Sequence, residues 1–158
     1  MSKARVEVEI EDRNAIEVIQ LEGGSLGDVL REVRQLAALG DELQVFERDG
    51  EEVIGIEIEN RKALALHAHR CRKVRVMVRW NADTKEHHFS PAAHVHRVLL
   101  WAIGKKGFNL DDTAKAKANL MLPGADLPLP KDAVIGRFVK YGDCELTLDL
   151  TLRDFTNG

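Results

Sequence analysis

The chain has 158 residues, of which 44% are hydrophobic and 31% charged, with a formal net charge of −3 at pH 7. This composition is typical of a globular protein, and it lacks the basic excess expected of a nucleic-acid or membrane-surface binder. No apolar run approaches the roughly 20 residues that span a bilayer, and the start MSKARVEVEI lacks a secretory apolar core. We therefore expect a soluble cytoplasmic protein of one domain or two small ones.

The first half of the chain predicts strands around a single helix. Apolar and acidic residues alternate over 6–10, and a β-rich run over 15–21 follows a turn, so the two segments predict a hairpin. Apolar residues at three- and four-residue spacing over 26–36 predict an amphipathic helix. Two strands around an Asp-Gly turn over 43–58 and a short strand over 63–69 complete this half. The acidic residues near the first strand are expected to face solvent: Glu7, Glu9, Glu11 and Asp12.

The second half begins with the same order of elements. Alternating valines over 74–80 predict a strand that turns and pairs back through 87–89. Ser90 and Pro91 combine an N-cap residue with a proline at the first helical position. They predict a helix that starts there and ends near Gly104 or Gly107.

Three shorter segments follow the second helix. A Pro-Gly turn within 119–129 predicts two short strands, and 132–138 predicts a helical turn. Leucines alternate with polar residues over 145–152, the pattern of a long strand with one buried face. The order strand, strand, helix, strands thus occurs twice. We predict two domains, 1–71 and 72–158, joined by a short polar segment that does not fix their angle.

Two segments of the second half carry a resemblance to a known family. CELTLDLTL is similar in alternation and place to the last strand of ubiquitin, and NLMLPGADLPL resembles the strand–turn–strand before it. As two tandem copies, the chain resembles the bacterial two-domain ubiquitin-like proteins of antiphage conjugation operons and the vertebrate interferon-induced tandem modifier. The resemblance implies an α+β fold of two tandem β-grasp domains, each a mixed sheet with one main helix packed across it. The charged, Ala/Arg-rich composition favours the bacterial group.

The resemblance also implies a protein modifier without catalytic activity of its own. In this family the carboxylate of the last glycine, here Gly158, is adenylated with ATP, passed to an enzyme cysteine as a thioester and attached to a target amine. Glycine suits this role because it has no Cβ to hinder the approach of partner enzymes. Those enzymes are expected to read the free tail 153–158 through the residues before the glycine: Arg153, Asp154, Phe155, Thr156 and Asn157.

The implied partners are an ATP-dependent activating enzyme, a conjugating enzyme, a deconjugating peptidase and target proteins, with no cofactor, nucleic acid or membrane. Ubiquitin's tail ends in a basic residue and two glycines, whereas this chain ends in Thr-Asn-Gly, which implies dedicated enzymes. Two alternatives stay open. One is a tandem ubiquitin-like interaction or adaptor module that is never conjugated. The other is a sulfur-carrier protein whose tail becomes a thiocarboxylate, although such carriers are usually single domains with a double glycine.

One residue is a candidate for a partner surface. Ubiquitin-like folds are commonly recognised through an apolar patch on the exposed sheet face, and Met121 falls at a matching strand position. The neighbouring positions of the last strand are Thr147 and Asp149, which are more polar than those of ubiquitin.

The histidines and cysteines offer other chemistries, which we weigh against structural roles. His67, His69 and Cys71 are ligand types that suit zinc, but alternate residues of a strand lie about 7 Å apart. Polar strand positions and a solvated linker are expected to account for the six histidines, and no metal site is predicted. Cys71 and Cys144 do not make a disulfide framework, and no base is placed beside either thiol, so both are expected to be buried or incidental.

Overall fold

The computed structural model describes the residue ranges 3–10, 16–22, 31, 44–51, 63–139 and 143–153. Four strands lie in the first part of the chain: β1 (Lys3–Ile10), β2 (Ile16–Glu22), β3 (Gln44–Glu47) and β4 (Ala63–His69). Four more follow: β5 (Val74–Trp80), β6 (Asp83–Phe89), β7 (Asn119–Met121) and β8 (Glu145–Thr151). The helices of this part are α1 (Val95–Ile103), α2 (Asp112–Lys117) and a 3-10 helix (Ile135–Phe138).

The first sheet has the strand order β2-β1-β4-β3. Its two central strands, β1 and β4, are parallel, and each pairs with an antiparallel neighbour at the edge. The alternation predicted for β1 is present, because Val6, Val8 and Ile10 are buried on one face together with Leu66 of β4. We call the described residues from Lys3 to His69 the first unit.

The second sheet repeats this arrangement in the order β6-β5-β8-β7, with β5 and β8 parallel at its centre. Valines of β5 and leucines of β8 face one core, into which the apolar side of α1 packs. The long leucine-rich strand is therefore the middle of the sheet and not its edge. Two mixed sheets with few helices fit the ubiquitin-like fold class. We call the described residues from Cys71 to Arg153 the second unit.

Helix α1 begins later than the sequence predicts. Its first residue is Val95 and its last is Ile103, with Gly104 as the C-cap, so its end agrees with the prediction. Ser90 does not cap it, because the hydroxyl of Ser90 donates to the carbonyl oxygen of Gly50 in the first unit. The prediction of a helix start at Ser90 was wrong because a contact with a distant segment takes the capping group.

The predicted strand pair within 119–129 is only partly present. Asn119–Met121 forms β7, whereas the residues around Leu129 form no strand and make one ladder-like bond, from the Leu129 N–H to the Leu120 carbonyl. Pro128 and Pro130 flank Leu129, and proline has no N–H for a ladder. The helical turn predicted over 132–138 is confirmed as the 3-10 helix.

The structure does not describe several of the predicted segments. The amphipathic helix over 26–36, apart from position 31, and the second strand of 43–58 lie outside the described residues. Helix α2 was not predicted, although Asp111 caps it by accepting from the Ala114 N–H, a recognisable N-cap signal. Among the helices that the structure describes, none has the length and apolarity needed to cross a bilayer.

Candidate functional site

The chain leaves the second sheet at Arg153. Strand β8 ends at Thr151, Leu152 is half-buried against the core, and Arg153 is exposed. The Arg153 N–H donates to the Thr151 hydroxyl at 3.2 Å, and Asn119 Nδ2 donates to the Arg153 carbonyl at 3.1 Å. These bonds hold the backbone of Arg153 beside the ends of β7 and β8. The other predicted tail residues lie outside the described residues: Asp154, Phe155, Thr156, Asn157 and Gly158.

The face of the second sheet opposite its core is lined by ion pairs. Arg79 forms two parallel bonds with the Asp149 carboxylate, at 2.7 and 3.0 Å. Arg75 bridges two acids, with 2.6 Å from its Nε to Glu86 Oε2 and 3.1 Å from its Nη1 to Glu145 Oε1. Exposed pairs of this kind add little stability, so their main effect is to give the face an ordered pattern of charge.

Met121 lies on this same face. Its neighbour Leu120 is buried and stands opposite Leu150, so the alternation of β7 places Met121 beside Asp149 on the other side. The side chain is half-buried. Because Asp149 is paired with Arg79, the surroundings of Met121 are charged rather than apolar, unlike the patch expected on a ubiquitin-type surface.

A groove of about 480 Å³ opens at the start of β8. Its walls combine apolar side chains with two acids: Met77, Leu122, Pro123, Phe138, Asp143, Glu145, Leu146 and Thr147. The groove and Arg153 lie at opposite ends of β8, whose seven residues span about 20 Å. A partner that reads both features would have to extend along the whole strand.

The two cysteines form a disulfide, which corrects the expectation of two separate thiols. Cys71, at the start of the second unit, is bonded to Cys144, just before β8. Alternation and composition could not pair residues that are 73 positions apart. The bond also removes Cys71 from any metal-ligand set, and among the described residues no group of three His, Cys, Asp or Glu side chains could hold a metal ion.

Two histidines are buried, which corrects the expectation that polar strand positions and a solvated linker account for all six. His67 is 0% exposed and His69 1%, on the face of the first sheet opposite its valines. Burial lowers the pKa of His67 well below its usual value, and the nearby His69, Arg137 and Arg48 lower it further. His67 is therefore neutral in the folded protein at neutral pH.

This buried histidine makes stability depend on pH. Below about pH 6.5 the unfolded chain binds a proton at position 67 that the folded protein excludes, so stability falls as the pH falls. The loss is at most about 1.4 kcal/mol per pH unit in this window. We expect urea unfolding to show a falling midpoint between pH 7.5 and 5.5. The variant His67→Leu, of similar volume and without a titrating group, should show a smaller fall.

An exposed histidine provides the control for this experiment. His96 lies on the solvent side of α1, so His96→Gln should lose stability in parallel with the wild type. Equal slopes for the wild type and His67→Leu would contradict the role given to His67.

Comparison with known families agrees with this geometry. The family model of BilA ubiquitin-like domain 2 matches residues 75–153, which is half of the 158-residue chain. No curated protein matches the chain. The matched range runs from β5 to Arg153 and so covers the second sheet. It confirms the ubiquitin-like character and supports the relation to bacterial antiphage proteins, while the tandem arrangement and the vertebrate relative stay predictions. The chain therefore belongs to the BilA ubiquitin-like domain 2 family.

Proposed function

We propose that the chain is a ubiquitin-like protein modifier of two tandem β-grasp domains, 1–71 and 72–158, that acts in bacterial antiphage defence. Dedicated enzymes activate it at the carboxylate of Gly158 and attach it to target proteins through an isopeptide bond. The chain itself has no catalytic activity and works in the cytoplasm.

The observation that carries this proposal is the exit of the chain at Arg153. The family match ends at the same residue, directly after a central strand whose leucines complete the core. Arg153 is exposed, and residues 154–157 separate it in the sequence from Gly158. A short segment that starts at the surface of a finished sheet is the geometry that a tail needs to enter an enzyme channel.

The tandem arrangement has separate support. Both sheets have parallel central strands and the same order of strands, and each begins with an antiparallel hairpin of consecutive strands. The family match covers the second sheet, and the support for the first copy is the topology that the two sheets share.

The chemistry requires nothing from the chain except an accessible carboxylate. The Gly158 carboxylate attacks the α-phosphate of ATP and releases pyrophosphate, and an enzyme thiolate then displaces AMP to give a thioester. A lysine amine attacks that thioester, so the isopeptide bond forms and the enzyme thiol is released. Because glycine has no Cβ, its carbonyl carbon can be approached closely in each step.

The test is to incubate the full chain with ATP and the activating enzyme that the proposal implies. A modifier should form an adduct with that enzyme that survives denaturation and is cleaved by hydroxylamine. An adaptor module should bind partners without forming any adduct, and that result would overturn the proposal.

A further inference from the structure

The faces of the two sheets that lie opposite their cores differ sharply in exposure. In the second sheet this face is open, with 50% of the Arg79 side chain and 52% of the Glu86 side chain exposed. In the first sheet the corresponding face is covered at the end formed by β3 and the last residues of β1 and β4, where four residues are 0–3% exposed: Glu9, Phe46, His67 and His69. The other end is open, with 60% of the Arg5 side chain and 50% of Val18 exposed. The acidic alternation of β1 led us to expect Glu9 in solvent, which was wrong.

The 3-10 helix of the second unit covers the closed end of this face. Arg137 Nε lies 2.7 Å from Glu9 Oε1, and the Glu9 side chain is only 4% exposed. Gly136, the residue before Arg137, packs so closely that a Cβ there would overlap the ring of His67 and lie 2.9 Å from His69 Cδ2. A buried carboxylate and a glycine without space beside it are features of a fitted interface rather than of a chance contact.

A second contact joins the Asp-Gly turn of the first unit to the start of α1. Asp49 Oδ1 accepts from the His94 N–H at 2.9 Å, and Glu51 Oε1 lies 2.6 Å from Arg97 Nη1. The N-cap residue of α1, His94, makes no side-chain capping bond. The carboxylate of Asp49 instead accepts a hydrogen bond from the backbone N–H of His94 at the start of the helix. Burial raises the pKa of Glu51, but hydrogen bonds from Arg97 and the Ser90 N–H and the charge of Lys73 outweigh this and lower it. The acids of the turn are thus matched to cations and N–H groups of the second unit.

We propose that the covered end of the outer face of the first sheet, around Glu9, His67 and His69, is a docking surface whose occupant is the second unit of the same chain, so that the two units form one body. This inference deepens the proposed function. A partner that binds the sheet face of a ubiquitin-like fold finds the part around Glu9, His67 and His69 closed in the first unit, whereas the charged face around Arg79 and Met121 in the second unit is open.

Histidine labelling tests the docking directly. Diethyl pyrocarbonate modifies exposed imidazoles, and mass spectrometry locates the product on each histidine. In the full wild-type chain we expect His67 and His69 to react at least roughly tenfold more slowly than His96, since labelling requires the interface to open. The ratio should not change on dilution, because the occupant is part of the same chain.

Charge reversal provides the matched variants. Arg137→Glu places a second acid beside the buried Glu9, so labelling of His67 should rise towards that of His96. Adding Glu9→Lys to this variant restores an opposite-charge pair and should restore protection. Arg79→Glu reverses an exposed pair with Asp149 and should leave His67 protected.

Both tryptophans, Trp80 and Trp101, lie in the second unit, and their fluorescence reports whether that unit stays folded. If Arg137→Glu disturbs it, Glu9→Gln removes the charge from the first unit only and gives the same labelling readout. Rapid labelling of His67 in the wild type, protection that is lost on dilution, or protection unchanged in Arg137→Glu and in Glu9→Gln would overturn the docking. None of these experiments uses the enzymes, so they are independent of the adduct test.

Discussion

Deletion of Gly158 is expected to abolish the ATP-dependent adduct with the activating enzyme. The deletion leaves Asn157 as the last residue, which has a Cβ and an amide side chain beside the new carboxylate. Residues up to Arg153 complete the sheet without the tail, so the variant should fold and unfold like the wild type. The measurement is the yield of adduct after denaturing electrophoresis, beside the urea midpoint of both proteins.

Because the chain has a disulfide, the adduct should be tested with a reagent that cleaves a thioester but not a disulfide. Dithiothreitol cleaves a thioester, but it also reduces Cys71–Cys144, so its effect on an adduct has two causes. Hydroxylamine cleaves the thioester and leaves the disulfide intact. Gly158→Ala keeps the length of the tail and adds only a Cβ, so it should form less adduct than the wild type. An undiminished adduct from the deletion variant would contradict a role for Gly158.

Loss of the disulfide is expected to lower the free energy of unfolding by about 2–4 kcal/mol. The bond closes a loop across 73 positions and so restricts the unfolded chain strongly. Cys144→Ser is the informative variant because Cys144 is exposed, whereas Cys71 is only 5% exposed and its replacement would also disturb the core. Urea unfolding of the oxidised wild type and of Cys144→Ser measures the difference.

Reduction of the Cys71–Cys144 bond is an independent measure of its contribution to the free energy of unfolding. The wild type in dithiothreitol should unfold at nearly the same urea concentration as Cys144→Ser, and the variant should not respond to the reductant. A wild type that is insensitive to dithiothreitol and as stable as Cys144→Ser would show that the bond contributes nothing.

Periodicity predicted the second sheet well because its strands have one buried face. Val76 and Leu148 are core residues, and the alternation that contains them specifies both the strand and the face that is buried. The same pattern placed Met121 on the outer face, where the structure has it. It could not show that Asp149 beside Met121 is held by Arg79, because ion pairs across a sheet depend on the register of distant strands.

The sequence patterns did not predict the contacts between the two units. Alternation separates the two faces of β1 but does not tell whether the polar face is open, so Glu9 was placed in solvent although the second unit covers it. Ser90 has the properties of a helix cap, yet its hydroxyl is bonded to Gly50. Gly136 has no local signature, since the reason for a glycine there is the ring of His67. In each case a long-range contact decided the outcome.

The most direct test of the proposed function is to identify the bond that it predicts on a target. Trypsin cleaves after Arg153, so a conjugated target should carry the five-residue remnant DFTNG on a lysine side chain. Proteins isolated from cells that express the chain with the activating and conjugating enzymes that the proposal implies can be digested and searched by mass spectrometry for lysines with this remnant. We expect such lysines with the wild-type chain and none with the Gly158 deletion. If the chain and its enzymes are present but no lysine carries the remnant, the chain is not a protein modifier attached through Gly158.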